Sequence, residues 1–236
     1  MVRLAIVGVF LALCGAAAAQ EAQAFKLKIV EGHVQKVKVL MKGSLGGMAI
    51  EMKYNTEERI LKVEPSGEYK EQTKTTGLEV SAGGAPVPLY FDTDKTEVRT
   101  LDRLGALIAT DDPAANLPLL RRAGRVQVLS APDAPVKVGD SWTFESKADP
   151  DAELPAAKVT YKFVAEEKVG AWDTCKVEIA FAETEGAKPI TAKGFLWFNK
   201  ADFRGVKGEV LIENFPAPAG SPVPVISSTV IFERVE

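Results

Sequence analysis

Apolar and polar residues alternate along most of this chain, which is the pattern of half-buried β-strands. Successive side chains of a strand point to opposite faces, so each alternating segment is predicted to bury one face and expose the other. The apolar positions of the clearest segments are Phe25, Leu27 and Ile29; Met48, Ile50, Met52 and Tyr54; Ala157, Val159, Tyr161 and Phe163; and Val206, Gly208, Val210 and Ile212. A last run, residues 225–235, is rich in β-branched residues.

Turn-forming residues separate these segments at the spacing of hairpins. They include Gly46-Gly47, Pro65-Ser66-Gly67, Gly83-Gly84, Gly139-Asp140 and Glu185-Gly186. Parallel strands would need crossover helices, whereas a convincing helical pattern occurs only near residues 113–122, after Asp111 or Asp112. The sequence therefore predicts an all-β fold, a strongly curved antiparallel meander (half-barrel or sandwich-like) with one short helix near 113–122. We expect this helix to be a lid, a plug or a bridge.

The hairpin pattern of the first part of the chain is echoed in the second part. Gly32 precedes an alternating strand in the first part, and Gly139 does so in the second. A duplication into two similar halves is one explanation, and a generic periodicity of hairpins is the other. Pro132 lies at the predicted boundary, which gives an N-terminal β half at 20–130 and a C-terminal β half at 131–236, or one continuous domain.

The first 19 residues have the pattern of a signal peptide. Arg3 gives a positive start, residues 4–13 are apolar, and residues 16–19 are alanines that suit cleavage near Ala19. This predicts an extracytoplasmic protein, periplasmic or secreted. A membrane span needs roughly 20 apolar residues, so no transmembrane span is predicted in the mature chain. Lipidation of Cys14 is the alternative, which Leu13 disfavours because it stands where a small residue is needed.

Charge and cysteine content narrow the possible partners. The 29 Lys and Arg residues face 32 Asp and Glu residues, interspersed along the chain, whereas nucleic acid would favour a concentrated basic face. No nucleic-acid partner is therefore predicted. Cleavage removes Cys14 and leaves Cys175 alone, so no intramolecular disulfide can form. Cys175 alternates in phase with Val177, Ile179 and Phe181, and it is predicted to be buried and unreactive.

The residues needed for common catalytic sites are scarce. Nucleophilic catalysis by serine or cysteine usually needs a nearby histidine, and His33 is the single histidine, interpreted as a surface residue at a turn. One histidine and one remaining cysteine do not suffice for a zinc site. The segment beginning at Asp92 resembles a calcium loop but has Glu97 where glycine is required. We therefore predict no catalytic residues, no metal and no cofactor, while a hydrolase that uses carboxylates alone stays open.

Two segments resemble known groups of proteins. Residues 136–142, VKVGDSW, resemble a segment of uncharacterised exported bacterial β-sheet proteins. Residues 194–207, a strand with Trp197, a turn and a second strand, look like the hairpin of convex-sheet periplasmic proteins. The LolA- and LppX-like carriers of lipids or lipoproteins are more distantly similar. The resemblance covers roughly residues 130–215 and implies a fold more than a function.

One strand of the second half is apolar on both faces. Phe195 and Trp197 alternate there with Leu196 and Phe198, so one pair needs a cover such as a packed layer, a partner or a ligand. These four residues are the candidate binding site. The leading hypothesis is an exported, non-enzymatic protein that binds an apolar, lipid-like or lipidated ligand on the concave face of the sheet. The alternatives are a structural or adaptor module of the cell envelope that binds another protein and, third, the carboxylate-dependent hydrolase.

Overall fold

The computed structural model describes residues 22–89, 94–113, 115–216 and 225–235. The predicted signal peptide at 1–19, Cys14 included, lies outside these described residues, as does Asp92. The signal peptide and its cleavage near Ala19 therefore stay predictions.

Most of the regular structure in the described residues is β-strand. The strands are β1 (Val34–Leu45), β2 (Met48–Val63), β3 (Tyr69–Ala82), β4 (Ala85–Pro86), β5 (Lys95–Leu101), β6 (Leu107–Thr110), β7 (Ser141–Ser146), β8 (Ala157–Val169), β9 (Trp172–Glu183), β10 (Thr191–Asn199), β11 (Gly205–Pro216) and β12 (Val225–Val235). In β8, buried and more exposed positions alternate from Ala157 to Phe163, as the spacing of its apolar residues predicts.

All these strands belong to one antiparallel sheet. Their order is β6-β5-β3-β2-β1-β12-β11-β10-β9-β8-β7, with β4 also paired to β3. The first and last strands therefore lie side by side, with Lys36 opposite Val235 and Ser44 opposite Ser227. No pairing joins the edge strands β6 and β7 within the described ranges, so the sheet stays open. The predicted curved all-β antiparallel meander is confirmed.

The described residues contain one helix, α1 (Leu117–Gln127), which begins later than the predicted 113–122. Its cap is Asn116, whose side chain accepts a hydrogen bond from the Leu119 N–H, and Pro118 occupies the first turn, where proline is tolerated. Asp111 and Asp112, which were the predicted caps, make other contacts. Asp111 accepts a hydrogen bond from the Val98 N–H, and Asp112 forms an ion pair with Lys95.

The chain between β6 and β7 crosses one face of the sheet, because these strands form opposite edges. We call this the inner face. Arg122 of α1 is bound to Glu183 at the end of β9 by two hydrogen bonds of 2.9 and 2.7 Å. Further along, the Tyr161 hydroxyl donates a hydrogen bond to the Val128 carbonyl, and the Trp142 indole N–H donates one to the Ser130 carbonyl.

The segment before β1 also crosses the inner face. The alternation of Phe25, Leu27 and Ile29 predicts a half-buried strand. This prediction is wrong, because residues 24–30 pair with no strand in the described chain. The side chains of this segment nevertheless alternate between more buried and exposed positions. Phe25 is buried against Trp142, Phe163 and Phe203, with ring centroids 5.0 to 5.4 Å apart.

The main core fills the inner face of the second part of the sheet, under β8 to β11. Cys175 belongs to it with 0% exposure, as its phase with Val177 and Ile179 predicts. Burial, reinforced by the carboxylate of Glu166, raises the pKa of the Cys175 thiol to about 12. A smaller cluster of Ile60, Tyr69 and Leu101 lies in the first part of the sheet, and between the two clusters the inner face stays open.

Candidate functional site: an open groove with a polar belt

A groove with a volume of about 1180 Å³ runs along the inner face of the sheet. Its floor is formed by β1, β2, β3, β5, β6, β10, β11 and β12, and its cover by α1 and the segment before β1. Most of the lining is apolar, including Val39, Met41, Met52, Leu78, Leu120 and Phe232. The volume exceeds the roughly 300–1,000 Å³ of typical small-molecule pockets.

Polar side chains interrupt the apolar floor in two neighbouring rows. The strand register places Gln35, Glu58, Thr73 and Glu97 in one row across β1, β2, β3 and β5, since each is directly opposite the next. Glu71 and Arg99 are opposite each other in the next row. We define the polar belt as these six residues together with Arg204, and all seven line the groove.

Two ion pairs and one hydrogen bond from an amide to a carboxylate join the side chains of the polar belt. Arg204 Nη2 lies 3.4 Å from Glu71 Oε2, and both side chains are only 8% exposed. The Arg99 guanidinium donates a hydrogen bond of 2.7 Å from Nε to Glu97 Oε1. Gln35 Nε2 donates a hydrogen bond to Glu58. Buried charges are tolerated when they are paired and hydrogen-bonded in this way.

Two oxygens of the polar belt have no hydrogen-bond partner in the described part of the chain. They are Thr73 Oγ1 and Gln35 Oε1. Thr73 is 2% exposed, and a buried polar group without a partner costs about 1–3 kcal/mol. The belt therefore contains unused hydrogen-bonding capacity next to the groove.

Burial raises the pKa of three side chains that line the groove. Desolvation and the nearby carboxylate of Glu58 raise the pKa of Glu71 to about 7, against the opposing attraction of Arg204 and Arg99. Burial likewise raises the pKa of Tyr54 and of Tyr69. At neutral pH the Glu71 carboxyl is consequently a group that can donate as well as accept a hydrogen bond.

The four residues predicted as a binding site are divided between the two faces of β10. Leu196 and Phe198 lie on the inner face, where Leu196 is enclosed in the core and Phe198 lines the groove. Phe195 and Trp197 lie on the outer face, next to Lys176, whose ammonium is 4.8 Å from each ring centroid. Lys207 approaches Trp197 as well. The structure does not bring the four together at one site, and their role in binding stays a prediction.

The polar belt was not anticipated from the sequence. Glutamates that alternate with lysine are typical of solvated strand faces, and this interpretation covers Glu58, Glu71 and Glu97. The spacing of these glutamates from the apolar residues of the same strand indicates the face on which they lie. Glu58 follows Met52 and Tyr54 at even spacing, and Glu71 is two residues from Tyr69, so these glutamates share the apolar face.

Some other kinds of site find no support within the described ranges. No group of three or more His, Cys, Asp or Glu side chains is arranged to hold a metal ion there. In the same part of the chain, no helix has the length and apolar character that crossing a bilayer requires. His33 is partly buried instead of lying at the surface, and it does not line the groove.

The chain thus folds as an open antiparallel sheet with a mainly apolar groove on its inner face. No family model matches it, and no curated protein does. Among solved structures it is similar to lipovitellin, in a structure that concerns lipid–protein interactions, at 10% identity and a TM-score of 0.49. That match covers 89% of this chain and 26% of the lipovitellin chain.

Two smaller proteins are similar over their whole length. A Bacteroides fragilis protein described as exported, with a YmcC-like fold, has 13% identity and a TM-score of 0.32 over 90% of this chain and 100% of its own. A Parabacteroides distasonis protein described as a lipoprotein has 16% identity and a TM-score of 0.29 over 92% and 100%. Similarity this low transfers no function.

Proposed function

We propose that this chain is an extracytoplasmic, non-enzymatic binding protein whose groove holds an apolar, lipid-like or lipidated ligand. The observation that supports the proposal is the groove itself, about 1180 Å³ in volume and lined mainly by apolar side chains. Contiguous apolar surface of this kind usually marks an interaction site. Each methylene group of an acyl chain that enters such a groove contributes about 0.8 kcal/mol.

The proposed location rests on the N-terminal sequence. Arg3, the apolar residues 4–13 and the alanines at 16–19 form the pattern that an export pathway requires. Exported proteins that handle lipid need an apolar compartment shielded from water, and the groove under α1 offers one.

Binding of N-phenyl-1-naphthylamine, an uncharged apolar fluorescent probe, tests the proposal. Met41→Lys places an ammonium group on the floor of the groove, and we expect it to weaken probe binding at least about tenfold because burying an unpaired charge is costly. Leu40→Lys is the matched control. Leu40 is the neighbouring residue of β1 and points to the outer face, so this variant should bind the probe as the wild type does.

Circular dichroism establishes that both variants are folded. Equal binding by wild type and Met41→Lys would overturn the groove as the site, as would the absence of probe binding to the wild type. Native mass spectrometry of protein from its own host then identifies what the groove carries. A retained lipid supports the proposal, whereas a retained protein partner supports the adaptor alternative.

One observation favours a second candidate, the carboxylate-dependent hydrolase. Glu58 and Glu71 converge in the groove, and the raised pKa of Glu71 is a property of general acids. Against it, Arg204 binds Glu71 and Gln35 binds Glu58, which suits a structural network. Hydrolysis of nitrophenyl esters or glycosides by the wild type, abolished in Glu71→Gln, would establish the hydrolase instead of the binding protein.

A further inference from the structure

We propose that the polar belt is a head-group subsite, selective for a long-chain lipid whose head is uncharged and carries hydroxyl groups. A monoacylglycerol is the simplest lipid of this class. The inference rests on the proposed function, because it names the ligand class of the same groove.

Two side-chain oxygens of the polar belt have unused hydrogen-bonding capacity within the described residues. Thr73 is almost completely buried, lines the groove and has no partner for its hydroxyl in the described chain. Gln35 Oε1 is also unpartnered, and it must act as an acceptor because the Nε2 of the same amide donates to Glu58. A fitting ligand therefore donates a hydrogen bond to Gln35 and exchanges one with Thr73.

A hydroxyl group meets both requirements, because it donates one hydrogen bond and accepts others. A carboxylate only accepts, so it leaves Gln35 Oε1 without a donor. An alkylammonium only donates, so it cannot accept a hydrogen bond from the Thr73 hydroxyl.

The charges around the groove also favour an uncharged head group. Five basic and four acidic side chains line the groove among the described residues, so the site is close to neutral. Within the polar belt, Arg99 is bound to Glu97 and Arg204 to Glu71. An anionic head that bound either arginine would displace its glutamate and leave that carboxylate buried without compensation, which is strongly unfavourable.

The position of the belt suits an amphiphile. Gln35 on β1 and Thr73 on β3 are separated by β2, which is roughly 9.6 Å for two strand spacings. The two hydroxyl groups of a glyceryl head can therefore serve them separately, one at Gln35 and one at Thr73. Apolar side chains continue along the strands from that row. Val39 and Met41 follow Gln35 on β1, and Met52 and Tyr54 precede Glu58 on β2, which provides a wall for the acyl chain.

The test compares three amphiphiles that share a 16-carbon chain: 1-monopalmitoylglycerol, palmitate and hexadecylammonium. Each displaces N-phenyl-1-naphthylamine from the full exported chain. We expect monopalmitoylglycerol to bind at least about fivefold more tightly than either charged lipid. Thr73→Val removes the hydroxyl but keeps the shape, and it should weaken monopalmitoylglycerol about five- to tenfold, the effect of one lost hydrogen bond, with palmitate within twofold of the wild type.

Thr96→Val is the matched control, because Thr96 of β5 is exposed and does not line the groove. It should leave all three affinities within twofold. Tighter binding of palmitate or hexadecylammonium, or an equal effect of Thr73→Val on every lipid, would overturn the head-group subsite while groove binding stands. Failure of all three to displace a probe that does bind would overturn the inference for lipids of this chain length, and failure of the probe to bind overturns the proposed function itself.

Discussion

Among single residues, Glu71 has a pKa that the fold raises to about 7, into the neutral range. Its carboxyl lies between Glu58 and two arginines in a region from which water is largely excluded. Burial and Glu58 favour the neutral form more than Arg204 and Arg99 favour the ion. The folded chain therefore binds a proton at Glu71 at pH values where the unfolded chain has released it.

This proton makes the stability of the protein depend on pH. Glu71 has a pKa of about 7 in the folded state, against 4.5 as the ordinary value, so its contribution is fully present below pH 4.5 and is lost as pH rises to about 7. The free energy of unfolding should fall over this interval by at most about 3 kcal/mol. Glu71→Gln should remove that fall in denaturant titrations between pH 4.5 and 8.

Glu79→Gln is the control for this prediction, since Glu79 is an exposed residue on the opposite face of β3. It should keep the pH dependence of the wild type. The pKa of His33 is lowered by burial and by Arg204 and Arg234, so its effect is to make the free energy of unfolding rise with pH. This effect is present in the wild type, in Glu71→Gln and in Glu79→Gln. If Glu71→Gln has the same profile as the wild type, Glu71 does not bind the proton.

The sequence predicts the buried apolar residues of this fold but not the buried charged residues of the groove. Alternation predicted the buried positions of β8 and β9 because apolar side chains there have one stable location, the core. Glu58, Glu71 and Glu97 escaped prediction because their burial depends on partners from distant parts of the chain. Arg204, for example, reaches Glu71 from the turn before β11, and no local pattern encodes that contact.

Among the elements, α1 is held in place by three arginines in addition to the core contacts of Val126. Arg121 donates to the Ile108 carbonyl, Arg122 binds Glu183, and Arg125 donates to the Pro155 carbonyl. These contacts reach β6, β9 and the loop before β8, so the helix is fixed across the inner face. The sequence predicted a short helix but not its first residue, because Pro113 and Pro118 both suit a first turn.

Removing Arg122 should destabilise the protein, since the Glu183 carboxylate is almost completely buried. Arg122→Ala leaves that carboxylate with the Ile190 N–H as its remaining described donor, and we expect a loss of about 2–3 kcal/mol in the free energy of unfolding. Lys158→Ala breaks an exposed ion pair with Glu145 and should cost below about 1 kcal/mol. Urea titration compares the two, and equal losses would show that the Arg122 pair does not anchor the helix.

At the scale of the whole molecule, the pairing of β1 with β12 joins the beginning of the sheet to its end. The main core also extends across this seam, because Val39 and Met41 of β1 pack against it. The halves predicted at 20–130 and 131–236 are therefore connected by both hydrogen bonds and apolar contacts. Their origin by duplication stays a prediction.

This connection predicts that the two halves unfold together. Differential scanning calorimetry of residues 20–236 should show one transition whose calorimetric and van't Hoff enthalpies agree, as for a single cooperative unit. Two separate transitions would show that the halves are independent domains that merely adjoin.

The seam also sets an order of events if the protein is exported as proposed. If the chain leaves the cytoplasm with its N-terminus first, β1 arrives outside with β2 but without β12, which follows the other described strands in the sequence. Until then one edge of β1 has unpaired N–H and C=O groups, which readily pair with other chains. Contacts between such distant segments also form slowly. The interval between the arrival of β1 and that of β12 is therefore when this protein is most exposed to aggregation.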